Sequence, residues 1–383
     1  MDSYRIAIVG SGTIAIATAI LFSDLPNTAV TLFSDQVHSR NAKLQPQKSF
    51  AISKGTISVL SKLGIWRLIK EHAFGYNKMR VSGLSQTGQR HFLDIDAQEL
   101  SETYLGFIIR EEHLLGGLRN RLNDLSITQQ HVQYKKEHYG DSYKLFSSYD
   151  LCIIADGRAD ELIRFVSPNP STKNYEQHAV VCDIQTDTKI DLKALQSFTS
   201  YGPLALLPTS DYSYSLIWSL ENSHASEIIH WKDEVLLTYV SEAFGAEVPQ
   251  RMEVSCRHMF PLSYYHASHY YRESFVLLGD AAHRLHPLAG QGLNLGFSDI
   301  SSLYINLNKG INNRWKLDEP KLLNGYQRER RKENLKLLIF TDFIDRAFRH
   351  NQPLATYLLS AANISIVKKM MAKHAIGKSW ALS

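Results

Sequence analysis

Cysteine is scarce in this 383-residue chain: Cys152, Cys182 and Cys256 are the three, far apart and odd in number. No close pair exists of the kind that holds zinc or staples a small secreted fold, so both are excluded and all three are expected to pack as small hydrophobes. A reducing cytoplasm fits that usage, and no metal site is expected. Charge of one sign is also scarce. Forty-two basic residues face 38 acidic ones, a formal net charge of +4, so bulk charge draws the chain to no partner and nucleic acid is not expected as one. No apolar run reaches the roughly 18 residues of a spanning helix. The stretch Ile6 to Phe33 imitates a leader and even contains Ala15-Ile16-Ala17, but Arg5 is its only leading base and Gly10 and Gly12 interrupt it. A second apolar run then follows at the spacing of a β-α-β unit, which a leader would lack. Repeats and low-complexity linkers are missing as well.

What is present has an ordinary globular composition and enough length for a large core. Arg5 to Val9 reads as a buried strand, Thr13 to Ser23 as a helix and Ala29 to Phe33 as a second strand, which opens an α/β sheet. Lys48 to Lys70 ends in helical spacing through Val59, Leu60, Leu63 and Ile69. Between about Glu176 and Ala267 the texture changes to short alternating β-rich runs such as His178 to Ile184 and Tyr212 to Leu220. From Gln291 onward the pattern is helical, and the mixed-charge run Gln327 to Lys336 reads as a solvated helix face. The expected fold class is α/β: a Rossmann-like nucleotide-binding domain with an inserted β-sheet substrate domain and C-terminal helices. The discontinuous nucleotide domain takes 1–75, 105–175 and 266–345, the β-rich domain 76–104 and 176–265, and a C-terminal helical segment 346–383.

Three motifs carry chemistry. Gly10-Ser11-Gly12-Thr13-Ile14-Ala15 lies between the first strand and the helix, where glycine allows the tight turn and lets a pyrophosphate approach the helix N-terminus. About 20 residues on, an acidic residue should reach the ribose, and Asp35 meets that spacing, with Ser34 standing directly after the second strand. Leu151-Cys152-Ile153-Ile154-Ala155-Asp156-Gly157 is a buried strand ending in an acid and a glycine, as at the carboxyl edge of an open sheet; an ordinary strand-to-turn junction reads the same way.

The third motif, Phe275 to Gly296, is the most informative. An apolar strand stops at Gly279, and Asp280 offers a carboxylate able to accept hydrogen bonds from polyol hydroxyls, which a ribitol chain supplies. Pro287 leads into Gly290-Gln291-Gly292-Leu293-Asn294, whose amides at a helix start suit the negative charge of a reduced flavin. FAD is therefore the expected cofactor. His283 and His286 in the same stretch are candidates for a base, with bonding to the backbone as the alternative.

At this point the residues resemble the single-component flavoprotein aromatic hydroxylases, and within them the ubiquinone-biosynthesis hydroxylases of the UbiH/VisC type. The resemblance runs nearly end to end: the opening fingerprint, Lys48 to Gly64, Leu105 to Leu118, Ala155-Asp156-Gly157, Phe260-Pro261-Leu262, Gly279 to Gly296, and Tyr326 with Arg330. It implies that Gly10, Gly12 and Ala15, with Thr13 and Ile14, hold the pyrophosphate, that Asp280 holds the ribitol, and that Gly290 to Asn294 lie near the ring. It adds Lys48 and Arg110 to the cofactor set and gives Asp156 and Gly157 a role toward both FAD and a transient nicotinamide cofactor. Three positions depart from the pattern: Lys48 replaces an Arg, Ser34 a Glu, and Asp160 a Ser.

The reaction implied is ring hydroxylation of a prenylated phenol or quinol, using NAD(P)H and O2 through a flavin C4a-hydroperoxide. Two other readings stay open: a flavin-dependent reductase or oxidase on the same scaffold, and a non-catalytic assembly subunit of a quinone-biosynthesis complex. Trp218, Phe260, Tyr264 and Tyr265 suit a phenol with an apolar tail and equally suit a sheet core. The tail from Leu354 to Ala381 has an amphipathic look; it either covers its own core or docks on a membrane or on partner enzymes. The expected location is cytoplasmic, with peripheral contact to the inner membrane as the extension that such docking would add.

Overall fold

The structure, a computed structural model, describes residues 3–34, 48–84, 90–132, 139–255, 257–284 and 291–350. Asp35, Cys256, His286, Pro287, Gly290 and the tail from 351 lie outside the described residues.

The first strand, Tyr4–Val9, ends in four consecutive buried residues, the continuous apolar run that a strand covered on both faces requires. It forms the middle of a six-stranded sheet with the order Tyr271–Arg272, Phe275–Leu277, Leu151–Ile154, Tyr4–Val9, Thr28–Ser34, Thr128–His131. All neighbours pair in parallel except Tyr271–Arg272, which runs antiparallel at one edge. The helix Thr13–Phe22 is buried almost all round, so its stability comes from packing on several sides at once rather than from one apolar stripe. Burying each of its larger side chains, such as Ile16, Ile20 and Leu21, contributes on the order of 2 kcal/mol.

Register decides where the site lies. Val9 pairs with Ile154, and Ile154 with Leu277, so three adjacent strands stop level with one another. The ladder runs one residue further, with Ala155 N–H donating to Val9 O and Leu278 N–H to Ile154 O. All three motifs therefore leave the sheet at the same carboxyl edge, where open α/β sheets bind ligands.

A second, nine-stranded and mainly antiparallel sheet has the order His283–Arg284, His258–His266, Ser171–Thr186, Ser213–Glu221, Gly202–Ser210, Lys193–Thr199, Lys78–Leu84, Arg90–Asp96, with Met252–Val254 beside Ser171–Thr186. One of its faces is buried under the helices Asn222–Ile228 and Asp233–Phe244, in a core that includes Val180, Leu204, Leu216 and Trp218. A small third sheet, Ser49–Ile52, Gly106–Arg110 and Ala73–Tyr76, packs against strand Gly202–Ser210. Helices Gly292–Asn312 and Pro320–His350 pair at the end of the described chain.

Phe275–Leu277 belongs to the parallel sheet, and His283–Arg284 to the large one. The third motif is thus the crossing point, and the chain passes from one sheet to the other through Gly279 to Ala282. The crossing begins with Gly279 at φ +57°, a left-handed conformation that glycine adopts without strain.

Candidate functional site

Gly10 has φ +145°, and a Cβ built on it would stand 2.9 Å from Ala15 Cβ and 3.0 Å from the carbonyl oxygen of Ala155. The turn is therefore closed on its protein side. At Gly12 the opposite holds: an added Cβ would meet nothing within 4 Å. The helix that follows starts at Gly12 with no side-chain cap and no acidic residue in its first turn. Its first amides lack helical acceptors and keep their partial positive charge for an outside group. Ile14 holds this helix to the third motif, because Cβ atoms on Gly279 and Gly296 would fall 3.4 and 2.6 Å from its side chain. Thr13 is buried beside it. Ser34 ends the neighbouring strand and pairs through Oγ with His131 Nδ1 at 3.1 Å.

At the next strand end, Asp156 is buried and accepts from Arg158, from the backbone N–H and Nε at 3.0 Å each and from Nη2 at 3.2 Å. Gly157 beside it backs onto Asp280. Asp280 is open to solvent at this strand edge, with protein packed closely around it. That desolvation pushes its carboxyl above the usual range, while His283, Arg284 and Lys48 pull the other way and Asp156 adds to the rise. Lys48 places its ammonium 5.2 Å from the centre of the Phe260 ring, so it stands between the third motif and the large sheet. Arg110, at the end of its strand, donates to Asp183 of the large sheet at 2.8 Å, which ties two sheets together across the same space.

The start of helix Gly292–Asn312 completes the edge. It too lacks a side-chain cap and first-turn acid, and a Cβ on Gly292 would meet nothing within 4 Å. Leu293 is half-buried. Asn294, expected from its motif to lie near the ring, has its side chain buried and turned inward. Its Oδ1 accepts from Ser53 N–H at 2.9 Å and Thr56 Oγ1 at 2.7 Å, and its Nδ2 donates to Ala51 O at 2.9 Å. It fixes the helix start, leaving backbone amides as what this turn offers a ligand.

His283, the candidate base, is buried and bonded through Nε2 to Asp299 Oδ2 at 2.6 Å. A ring so enclosed and committed is a structural partner and not a base for a substrate proton. Asp299 also accepts from Gly279 N–H at 3.1 Å and, on its other oxygen, from Arg330 Nε at 2.8 Å and Asn334 Nδ2 at 3.3 Å. Burial alone would raise the Asp299 carboxyl, but His283 and Arg330 overcome it and hold it at about 2. Arg330 and Asn334 are buried, so Gln327 to Lys336 is not simply a solvated face. The spacing of four from Tyr326 through Arg330 to Asn334 is the one sign the sequence carries: the three share one side of the helix, and Tyr326 OH donates to Leu277 O at 2.7 Å. Asp299 lies outside every motif and has no such sign.

Strand pairing also separates the aromatic candidates. Ala179 opposes Phe260, Val181 opposes Ile217, and Ile217 opposes Ala205, so all share one face of the large sheet with Asp183. Arg110 on Asp183 and Lys48 on Phe260 identify this as the face turned to the cofactor edge. Trp218 points to the other face, fully buried beside Tyr201, Tyr239 and Trp231. Tyr265 is buried in the main core under Arg284. Phe260 is half-buried on the cofactor-facing side.

Glycine-lined turns open outward, two uncapped helix starts and one outward carboxylate, converging on one sheet edge, make a donor and acceptor set that fits FAD. Among the described residues no cluster of metal ligands occurs. A family model described as FAD binding domain matches residues 163–341. The mitochondrial ubiquinone biosynthesis monooxygenase COQ6 of Homo sapiens is 27% identical over 423 residues, covering 94% of this chain and 89% of that protein. Among solved structures, Pseudomonas aeruginosa PqsL in complex with 2-aminobenzoylacetate superposes with a TM-score of 0.73 at 16% identity, covering 94% of this chain and 100% of that one. The p-nitrophenol 4-monooxygenase PnpA of Pseudomonas putida DLL-E4 gives 0.71 at 14% identity over 99% and 100%. These two share the fold. The likeness in sequence, to the FAD binding domain and to COQ6, agrees with the strand-edge site in pointing to FAD as the group bound there.

Proposed function

We propose that the chain hydroxylates the aromatic ring of a prenylated phenol or quinol precursor in ubiquinone biosynthesis, with NAD(P)H and O2 as co-substrates. One observation carries this reading. The sheet face turned to the cofactor edge is apolar but only half-buried, with Val181, Ile217 and Ala205 side by side across three strands and Leu207 and Phe260 nearby. Half-buried apolar surface of this kind suits a ring with a hydrocarbon tail. The name of the human relative, a ubiquinone biosynthesis monooxygenase, supports the same substrate class.

FAD, when bound, supplies the oxygen-activating redox chemistry. The chain's own part is placement. The amides after Gly12 take the pyrophosphate, Asp280 takes the ribitol hydroxyls, and the amides at Gly292 face the ring. Lys48 sets a positive charge between Asp280 and Phe260, where it favours the ionised form of a phenol, the form with the more reactive ring. The apolar face excludes water from the reacting groups. Asp156 and Gly157 serve the flavin and the transient nicotinamide. In this reading the segments 76–104 and 176–265 form the substrate domain. No helix among the described residues is long and apolar enough to cross a membrane.

The test is turnover of the FAD-loaded protein with NADH or NADPH, a prenylated phenol and 18O2. One labelled oxygen on the product ring is the expected result. A product reduced or oxidised without label, or nicotinamide oxidation with no ring product, would overturn the proposal.

A further inference from the structure

We infer that Asp299 is a positioning residue for the flavin, acting through the Gly279 amide and the His283 ring to fix the turn that carries Asp280. The inference rests on the assignment of Asp280 to the ribitol. Gly279 and His283 bracket Asp280, one residue before it and three after, and both bond to the same oxygen, Asp299 Oδ2, at 3.1 and 2.6 Å. The short turn between them is thus tied at both ends to one atom of another helix. It needs such a tie, because it begins in a left-handed conformation and bridges two separate sheets.

The anchor is itself held firmly. Asp299 is fully buried, and its second oxygen takes Arg330 Nε at 2.8 Å and Asn334 Nδ2 at 3.3 Å. Arg330 passes a further bond to Asn334 Oδ1 at 2.8 Å, and Asn334 Nδ2 reaches Tyr270 OH at 3.1 Å. A buried ion pair is weak evidence for stability, since desolvation offsets most of the attraction. Its value here is directional. A carboxylate bonded on both oxygens cannot turn, so the Gly279 and His283 tethers keep one geometry and Asp280 presents its carboxylate at one place beside Gly157.

Four single variants test this, with FAD affinity measured by fluorescence quenching on apo-protein, the visible spectrum of the bound flavin, and the melting temperature of the apo-protein. His283→Leu removes a tether and leaves Asp299 short of a donor, so affinity should fall about tenfold or more. His283→Gln retains a donor and should restore affinity to within about threefold of wild type. Asp299→Asn keeps the shape but loses the charge and should weaken FAD with a changed spectrum; it decides the question if His283→Leu does not fold. Asp280→Ala is the reference. If Asp280→Ala sheds FAD while His283→Leu and Asp299→Asn bind it as wild type does, the positioning role is wrong. If Asp280→Ala retains FAD, the ribitol assignment fails instead. A loss of melting temperature without loss of FAD affinity would make Asp299 a packing residue only and overturn the inference.

Discussion

Gly157 stands so close to Asp280 that a Cβ built on the glycine would lie 3.0 Å from the Cβ of the aspartate. Two residues 123 positions apart in sequence are thereby forced to share one small volume at the ends of neighbouring strands. Any side chain at 157 must push Asp280 aside, because the glycine also faces the Asp280 backbone, with the carbonyl oxygen 3.3 Å from that Cβ position. Gly157→Val is therefore expected to lower FAD affinity by about tenfold or more, through displacement of a group that must be placed within about half an ångström. Flavin retained per mole of protein after desalting measures it, and a fully yellow variant would contradict the prediction.

Gly10 makes a stronger demand, on fold as well as ligand. At φ +145° a side chain is strained whatever the space, and here the added atom would meet Ala15 and the Ala155 carbonyl closer than ordinary van der Waals contact. Gly10→Ala should cost about 2 kcal/mol of stability in urea unfolding and also reduce flavin content. Gly12→Ala, with open space around its Cβ, should leave stability within about 0.5 kcal/mol while weakening FAD. A Gly12→Ala variant that kept its full flavin content would show that the outward opening at Gly12 is not where the pyrophosphate lies.

The fold and the glycine-bearing edge are legible in the sequence because backbone needs leave marks in one dimension. An apolar run that stops at glycine, as after Val9 and Leu278, marks the point where a buried strand gives way to a turn. Side-chain direction leaves weaker marks. Trp218 and Ile217 are neighbours on a strand with apolar residues on both faces, so alternation offers no means of telling which face meets the cofactor. Arg330 and Asn334 lie in a run of charges whose four-residue spacing suits a wet face and a buried polar seam equally. The difference is made by Asp299, 31 residues away from Arg330, and only tertiary contact reveals that pairing. His283 and Asn294 stand out in sequence through their place in the motif, but both direct their side chains to protein partners.

The same buried seam makes a pH prediction. Burial, with the charges of His283 and Arg331, lowers His266 from its ordinary 6.5 to about 4, against an opposing pull from Asp299. The folded protein therefore keeps this ring neutral where the unfolded chain protonates it, so stability is complete above about pH 6.5 and falls as pH drops toward 4. Asp299, held at about 2, adds stability that is present above about pH 4, the unfolded value, and is lost only as pH falls toward 2. Denaturant unfolding at several values between pH 7 and pH 4.5 should show a slope that is shallower by up to about one proton in His266→Gln than in wild type. Equal slopes in the two proteins would refute the assignment.

Arg110 provides the sharpest test of how the small sheet is joined to the nine-stranded one. Its guanidinium donates to Asp183 at 2.8 Å, and the two side chains are 18% and 21% exposed, so solvent screens the pair only in part. Arg110→Met and Asp183→Asn should each cost about 1 to 3 kcal/mol, through loss or weakening of this partly buried charge-assisted bond. The double variant should cost less than the sum, with a coupling of about 1 kcal/mol in the cycle. Because Asp183 shares its face with Val181 and Ile217, both single variants should also raise KM for the aromatic substrate while flavin content holds. Strict additivity would mean that the pair does not join the sheets. If Arg110→Met shed its flavin while Asp183→Asn kept it, Arg110 would be acting on the cofactor directly, as the family resemblance implies, and the ion pair would be secondary to that role.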